Sequence, residues 1–192
     1  MDGHRRARDR PRRGGRAPPG EADQRRRDDR RGTGRVGVIT RADFDDPALA
    51  AFLAAHHADM APTAPPESRH ALALDELRAP HVRLWTLHDD GALVGTVALA
   101  ELAPGHEELK SMRTAPRVRG RGIGRRLLTF ALEDARARGV HRISLETGVQ
   151  DFFAPARALY RAHGFVSCPP FGSYADDPNS AYFTWVPGPT SP

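Results

Sequence analysis

From Arg35 onward the chain alternates between strand-like and helix-like hydrophobic patterns. Val36, Val38 and Ile39 mark a first strand. Asp45-Asp46-Pro47 is an N-cap followed by proline, and Leu49, Phe52 and Leu53 give the stretch Pro47–His57 one apolar helical face. Prolines 62, 65, 66 and 80 then break the chain, leaving room only for a short helix within Leu72–Arg78. Val82–His88, the turn Asp89-Asp90-Gly91 and Leu93–Glu101 read as a hairpin. Pro104-Gly105 turns the chain into a further strand, His106–Thr114. The clearest helix is Gly122–Gly139, where Ile123, Leu127, Leu128, Ala131, Leu132 and Ala135 share a face and Gly139 supplies the C-cap. A strand Ile143–Thr147, a helix Ala154–His163 ended by Gly164, and closing strands Phe165–Cys168 and Ala181–Val186 complete the pattern. Strands first, then helix, strand, helix, strand predict an α+β fold with a mixed sheet.

Residues 1–34 lack any such periodicity. They carry 12 Arg against 6 acidic residues, while residues 35–192 carry 17 basic against 18 acidic ones. The net charge of +5 therefore belongs to the N-terminal segment, which is expected to be a disordered Arg-rich extension. Non-specific nucleic-acid binding through it is one functional reading, but it offers no aromatic side chain on which a base could stack. A folded domain is expected over 35–187, with 188–192 as a tail. A single cysteine, Cys168, excludes a disulfide framework and paired-cysteine zinc sites, and is expected to be a small buried apolar residue. No run of 18 apolar residues and no apolar segment after the charged N-terminus are present, so a cytoplasmic protein without a membrane span is expected.

The candidate chemistry lies in Arg119-Gly120-Arg121-Gly122-Ile123-Gly124, between a strand and the best helix. Glycines there allow close backbone approach to a ligand, and the helix N-terminus adds unpaired N–H donors and partial positive charge. Together they suit a pyrophosphate, with Arg119, Arg121, Arg125 and Arg126 adding charge. The dinucleotide pattern G-x-G-x-x-G fails, because its last position falls on Arg125 or Leu127, and no Gly-Lys-Ser/Thr follows for a P-loop.

This turn resembles the R/Q-x-x-G-x-G/A signature of the GNAT superfamily of N-acetyltransferases. The likeness extends to Met112-Arg113-Thr114-Ala115-Pro116 before it and Leu159-Tyr160-Arg161-Ala162-His163-Gly164-Phe165 after it, and covers roughly residues 35–187. The segment from Pro169 to Pro178 is also similar to small bacterial members, mostly of unassigned substrate. The resemblance implies a mostly antiparallel twisted sheet flanked by helices and an acetyl-CoA donor. It implies a small-molecule or peptide amine as acceptor, no metal, and a monomer or homodimer. It assigns Arg119, Gly120, Arg121, Gly122, Ile123, Gly124 and Arg125 to the coenzyme A pyrophosphate, and Met112, Arg113 and Thr114 to the strand beside the pantetheine arm. Tyr160 matches the general acid that protonates the departing thiolate. Many members carry an asparagine seven residues before that tyrosine; Phe153 stands there, so that contact is lost or made otherwise.

For the base, strict alternation along His106–Thr114 puts Glu108, Lys110, Met112 and Thr114 on one face and Glu107 on the other. Glu108 is thus the expected base, and it stands where family members with a strand-borne base carry theirs. On the acceptor side, Tyr174, Asp176 and Asp177 suit a cationic amine, whereas His56, His57 and Arg69 suit a carboxylate. The same fold retaining acyl-CoA without turnover, as a sensor, is the alternative to an enzyme.

Overall fold

The computed structural model describes residues 37–60, 62 and 72–188. The Arg-rich segment 1–34 and Arg69 lie outside the described residues. Seven strands form one sheet: β1 (Ile39–Arg41), β2 (Val82–Asp89), β3 (Ala92–Ala103), β4 (His106–Thr114), β5 (Arg142–Gly148), β6 (Val166–Ser167) and β7 (Ser180–Trp185). Their order is β1-β2-β3-β4-β5-β7-β6. Every neighbouring pair is antiparallel except β4 and β5, which run parallel. The helices are α1 (Pro47–Met60), α2 (Leu74–Leu77), α3 (Ile123–Ala137) and α4 (Ala154–Ala162). Among the described residues the first strand starts at Ile39, with Ile39, Thr40 and Arg41 paired to β2 and Val38 exposed before it; Val36 lies outside the described residues.

The α3 face of the sheet and the α1–α2 face carry separate apolar clusters. The first packs Val97, Leu99 and Leu109 against Leu127, Leu128 and Ala131; the second packs Leu84, Ala98 and Ala100 against Leu49, Leu53 and Leu77. All six apolar positions read from the sequence of α3 are buried. At Gly95 the helix comes so close to β3 that an added Cβ would stand 2.6 Å from Leu127 Cδ1.

Both site-bearing helices end in the same way. Gly139 takes φ 77°, its N–H bonds Arg136 O, and Val140 N–H bonds Ala135 O. Gly164 takes φ 86°, its N–H bonds Arg161 O, and Phe165 N–H bonds Tyr160 O. Each pair of bonds is a Schellman motif, which satisfies the last helical carbonyls only when C′ is left-handed, the conformation that glycine adopts without strain.

The parallel pairing of β4 and β5 is short. His106, Glu107 and Glu108 pair with Arg142, Ile143 and Ser144, and there it stops. Beyond Glu108, β4 stays paired to β3 alone and β5 to β7 alone. The two strands therefore part, opening a cleft through the middle of the sheet whose two sides are backbone edges.

Candidate active site

The cleft broadens into a cavity of about 680 Å³ bounded by β4, β5, the turn before α3, the start of α4 and the last turn of α1. The turn before α3 forms one end. Gly120 and Gly122 take φ 78° and 79°, and a Cβ on either would meet nothing within 4 Å, so the surface above the turn is open. Gly122 is the N-cap and makes no side-chain cap bond. The first intrahelical bond runs from Arg126 N–H to Gly122 O, which leaves the N–H groups of Gly122, Ile123, Gly124 and Arg125 without intrahelical acceptors. An open glycine surface over four such donors fits the pyrophosphate of coenzyme A.

Nine of the ten residues assigned to the cofactor border this cavity: Met112, Arg113, Thr114, Arg119, Gly120, Gly122, Ile123, Gly124 and Arg125. Arg121 does not; its guanidinium reaches Asp89 at 3.5 Å on the far side of the turn. Arg126 is also turned away, donating to Gly37 O at 2.5 Å. Gly124 sits where α3, α4 and β4 converge, with an added Cβ 3.3 Å from Leu159 Cδ2 and 3.5 Å from Thr114 Oγ1.

Strict alternation along β4 does not hold, and the reason is a bulge. Lys110 pairs with Ala98 and Arg113 with Thr96, so three steps on β4 match two on β3. The extra residue is accommodated at Ser111, which takes φ 50° and whose carbonyl accepts from Thr96 Oγ1 at 2.8 Å. As a result Glu108, Lys110 and Arg113 share the α1–α2 face, while Met112 and Thr114 turn toward α3. Glu108 and Met112 both reach the cavity only because the cleft opens to both faces.

Tyr160 is held at the base of the cleft by the Schellman motif of α4, its ring 5.8 Å from that of Phe165. It is buried and borders the cavity. Burial pushes its phenol well above the ordinary tyrosine range, and the charge of Glu146 adds to the shift. Tyr160 therefore keeps its proton at neutral pH.

Neither strand glutamate is a solvated strand-end charge. Glu107 is buried and grips both terminal nitrogens of Arg138, with Nη2 2.7 Å from Oε2. Glu108 is also buried, and its Oε1 accepts from Lys110 Nζ at 2.9 Å and Tyr174 OH at 2.6 Å. Lys110 Nζ lies 2.9 Å from the same phenol oxygen. Burial, together with the charge and hydrogen bond of Glu108, raises the Tyr174 phenol, so it remains a donor.

Tyr174 is thus brought into the site, but Asp176 and Asp177 do not border it. Asp177 closes its own turn, its Oδ1 accepting from Asn179 N–H at 2.8 Å. Of the two histidines, His56 faces the cavity, whereas His57 is tied to Leu72 O at 3.1 Å. His56 is held down to about pKa 4, first by burial and then by the nearby Arg113 charge. Arg113 itself stacks over Phe52 and pairs with Asp59 at 3.0 Å. Phe153 closes a short 3-10 turn, Asp151–Phe153, and α4 starts after it at Ala154. Cys168 is half-buried rather than part of the core, and burial raises its thiol pKa.

Two carboxylates of the cavity, Glu146 and Asp59, have no counterpart in the sequence reading. Glu146 lies on β5 and accepts from Ser180 Oγ at 2.6 Å; its only sequence signal is a polar position between Leu145 and Thr147. Asp59 enters because α1 runs to Met60 instead of ending at His57. Among the described residues no cluster of His, Cys, Asp or Glu could hold a metal ion, and no helix is long and apolar enough to cross a membrane.

Comparison with known proteins agrees with this geometry. Residues 30–165 match the model of the acetyltransferase (GNAT) family. The chain is 43% identical over 147 residues to the uncharacterized N-acetyltransferase YedL of Escherichia coli (strain K12), covering 77% of this chain and 92% of the relative. It is also 43% identical over 129 residues to the uncharacterized N-acetyltransferase YsnE of Bacillus subtilis (strain 168), covering 67% and 85%. Among solved structures, the PaiA N-acetyltransferase of Thermoplasma acidophilum in complex with coenzyme A shares the fold at TM-score 0.60 and 15% identity, covering 78% of this chain and 98% of that one. A parted β4–β5 pair, an open glycine turn at a helix N-terminus and these matches lead to one conclusion: the chain belongs to the GNAT family and is an acetyl-CoA-dependent N-acetyltransferase.

Proposed function

We propose that the chain moves an acetyl group from acetyl-CoA to a primary amine of a small molecule or peptide by direct attack in a ternary complex. One observation carries this reading: the cleft runs unbroken from the open glycine turn to Tyr160 and Glu108. In this reading the N–H groups of Gly122, Ile123, Gly124 and Arg125 hold the pyrophosphate, with Arg119 supplying charge. The unpaired edge of β4 at Met112, Arg113 and Thr114 offers backbone groups to the amides of the pantetheine arm, as a sheet edge does to an added strand. Acetyl-CoA supplies an activated thioester; the protein supplies alignment and proton handling.

The acceptor arrives as an ammonium and must lose a proton before its nitrogen can attack. Glu108 is the base in this reading, its carboxylate oriented by Lys110 and Tyr174. Tyr160 serves the departing sulfur. A free phenol titrates near 10 and a thiol near 8.5, so full proton transfer from a phenol raised still further is uphill. Tyr160 therefore acts first as a hydrogen-bond donor that stabilises the developing thiolate; it yields its proton to the sulfur as product leaves and regains one from solvent, while the amine's protons leave through Glu108. A cytoplasmic reaction belongs to this proposal.

A thiol-release assay with acetyl-CoA across amines, amino acids and polyamines tests the proposal. Amine-dependent release supports it. Tight acetyl-CoA binding with no release by any amine would favour a sensor of the same fold.

A further inference from the structure

The Arg113 side chain borders the cavity, and the reaction above leaves its chemistry unused. Its side chain is only 6% exposed, yet among the described residues only its Nη2 has a partner, Asp59 at 3.0 Å. Nε and Nη1 are buried and have no hydrogen-bond acceptor among the described residues. Guanidinium N–H groups left unpaired away from water are costly, and native structures keep them rarely and for a reason. Either edge of the fork, Nε–Nη2 or Nη1–Nη2, still presents one nitrogen without an acceptor.

The position of this side chain separates it from the donor's phosphates. The bulge at Ser111 sends Met112 and Thr114 toward α3 and Arg113 toward α1, where its guanidinium lies over Phe52 and beside His56 and Asp59. The pyrophosphate surface over Gly120 and Gly122 belongs to the N-terminus of α3. His56 is neutral at physiological pH, so it contributes a hydrogen-bonding ring without a charge to this wall. The same cavity carries carboxylates at Glu108 and Glu146, suited to an ammonium. One cavity thus offers an unsatisfied guanidinium and separate acidic groups.

Resting on the acetyltransferase reading above, we propose that Arg113 binds a carboxylate of the acceptor, so that the substrate is an amine that also carries a carboxylate, as an amino acid does. The guanidinium swings slightly on its terminal torsions to bring its unpaired N–H groups to the incoming carboxylate. Asp59 retains Nη2 and fixes the approach. The amine end is thereby directed along β4 toward the cleft.

The test compares matched acceptors: α-, β- and γ-amino acids against their own carboxamides, for the wild type, Arg113→Met and Arg113→Lys. Each protein is checked for a cooperative melt, and acetyl-CoA Kd is measured separately. The wild type is expected to prefer the acids by at least about tenfold in kcat/KM, the scale of one charge-assisted hydrogen bond. Arg113→Met is expected to erase that preference, and Arg113→Lys, which keeps the charge but loses the planar fork, to retain part of it. Acetyl-CoA Kd is expected to stay within about twofold throughout, because the pantetheine arm is read as meeting only the Arg113 backbone, which both variants keep. Equal use of acids and amides by the wild type, or a preference that survives in Arg113→Met, overturns the assignment while leaving the transferase reading intact. A tenfold weaker acetyl-CoA Kd in both variants also overturns it, because the anion would then belong to the donor. Normal acetyl-CoA binding with no turnover of any acid overturns it as well, and failure of the wild type to bind acetyl-CoA overturns both readings.

Discussion

Gly95→Ala tests whether the packing of α3 on β3 positions the cofactor turn. The added Cβ stands 2.6 Å from Leu127 Cδ1, against an ordinary carbon contact of about 3.5–4.0 Å, so the leucine must retreat by about 1 Å. It has little room. Leu127 is fully buried, and the new methyl is flanked by Arg113 O at 3.1 Å and Ile123 Cγ2 at 3.2 Å. Overpacking of this kind costs about 1–3 kcal/mol, and alanine returns about 0.4–1 kcal/mol by restricting the unfolded chain. A net loss of about 1–2 kcal/mol corresponds to a Tm lower by about 2–8 °C in a chain of this size. Leu127→Val alone leaves a void and costs about 1 kcal/mol by the same reasoning as other single-methylene deletions. In the double variant the methyl introduced at position 95 occupies part of that void, so the two losses do not add. Urea unfolding of the four proteins of the cycle gives the coupling directly, and at least about 1 kcal/mol is expected. Acetyl-CoA Kd reports on function: Ile123 and Leu127 lie in the first turns of α3, so Gly95→Ala weakens binding and the double variant recovers it. Additive losses, or unchanged stability in Gly95→Ala, would refute the reasoning.

Three other outcomes follow from contacts around the cleft. Tyr174→Phe removes the hydroxyl that bridges Glu108 and Lys110 but leaves their ion pair; kcat/KM for the acceptor should fall about tenfold, equivalent to about 1.4 kcal/mol, with acetyl-CoA Kd unaltered, and an unchanged kcat/KM would make that hydroxyl merely structural. Arg138→Met strands the buried Glu107 carboxylate and should lower stability by about 2–4 kcal/mol, less than a fully buried pair because Arg138 is 26% exposed; adding Glu107→Gln should recover much of the loss in urea unfolding, and no recovery would contradict the pairing. His56 has a folded pKa of about 4 against 6.5 unfolded, so the unfolded chain gains its proton first. Stability that is complete above pH 6.5 is therefore lost progressively between pH 6.5 and about 4 and levels off below, by at most about 3 kcal/mol. His56→Gln should flatten that part of the pH profile, and parallel profiles for the two proteins would count against a buried neutral His56.

The sequence made some parts of this site plain and hid others for identifiable reasons. The amphipathic period of α3 and the glycines after α3 and α4 are local signals, and all reappear as the buried face and the two Schellman ends. Tyr160 was legible because its place is set by counting back from Gly164. The face of Arg113 was not, because the bulge at Ser111 depends on register against Thr96, which no pattern within β4 reveals. Arg121 and Arg126 looked equivalent to Arg119 and Arg125, yet the rotation of the turn sends them to Asp89 and Gly37. Glu107 and Glu108 are neighbours of one type, and only tertiary structure gives one to Arg138 and the other to Tyr174 and Lys110. Asp176 and Asp177 form a charge pair in the sequence, while the fold uses Asp177 for its own turn.

The central claim is that Tyr160 and the cleft beside it carry acetyl transfer from acetyl-CoA to an amine. Tyr160→Phe keeps the ring packed on Phe165 and removes only the hydroxyl. With an amine that releases thiol in the wild type, kcat is expected to fall by about 10²–10³, within the range for loss of one general acid, while acetyl-CoA Kd changes by less than about twofold. An unchanged kcat in a folded Tyr160→Phe protein that binds acetyl-CoA normally would contradict the account.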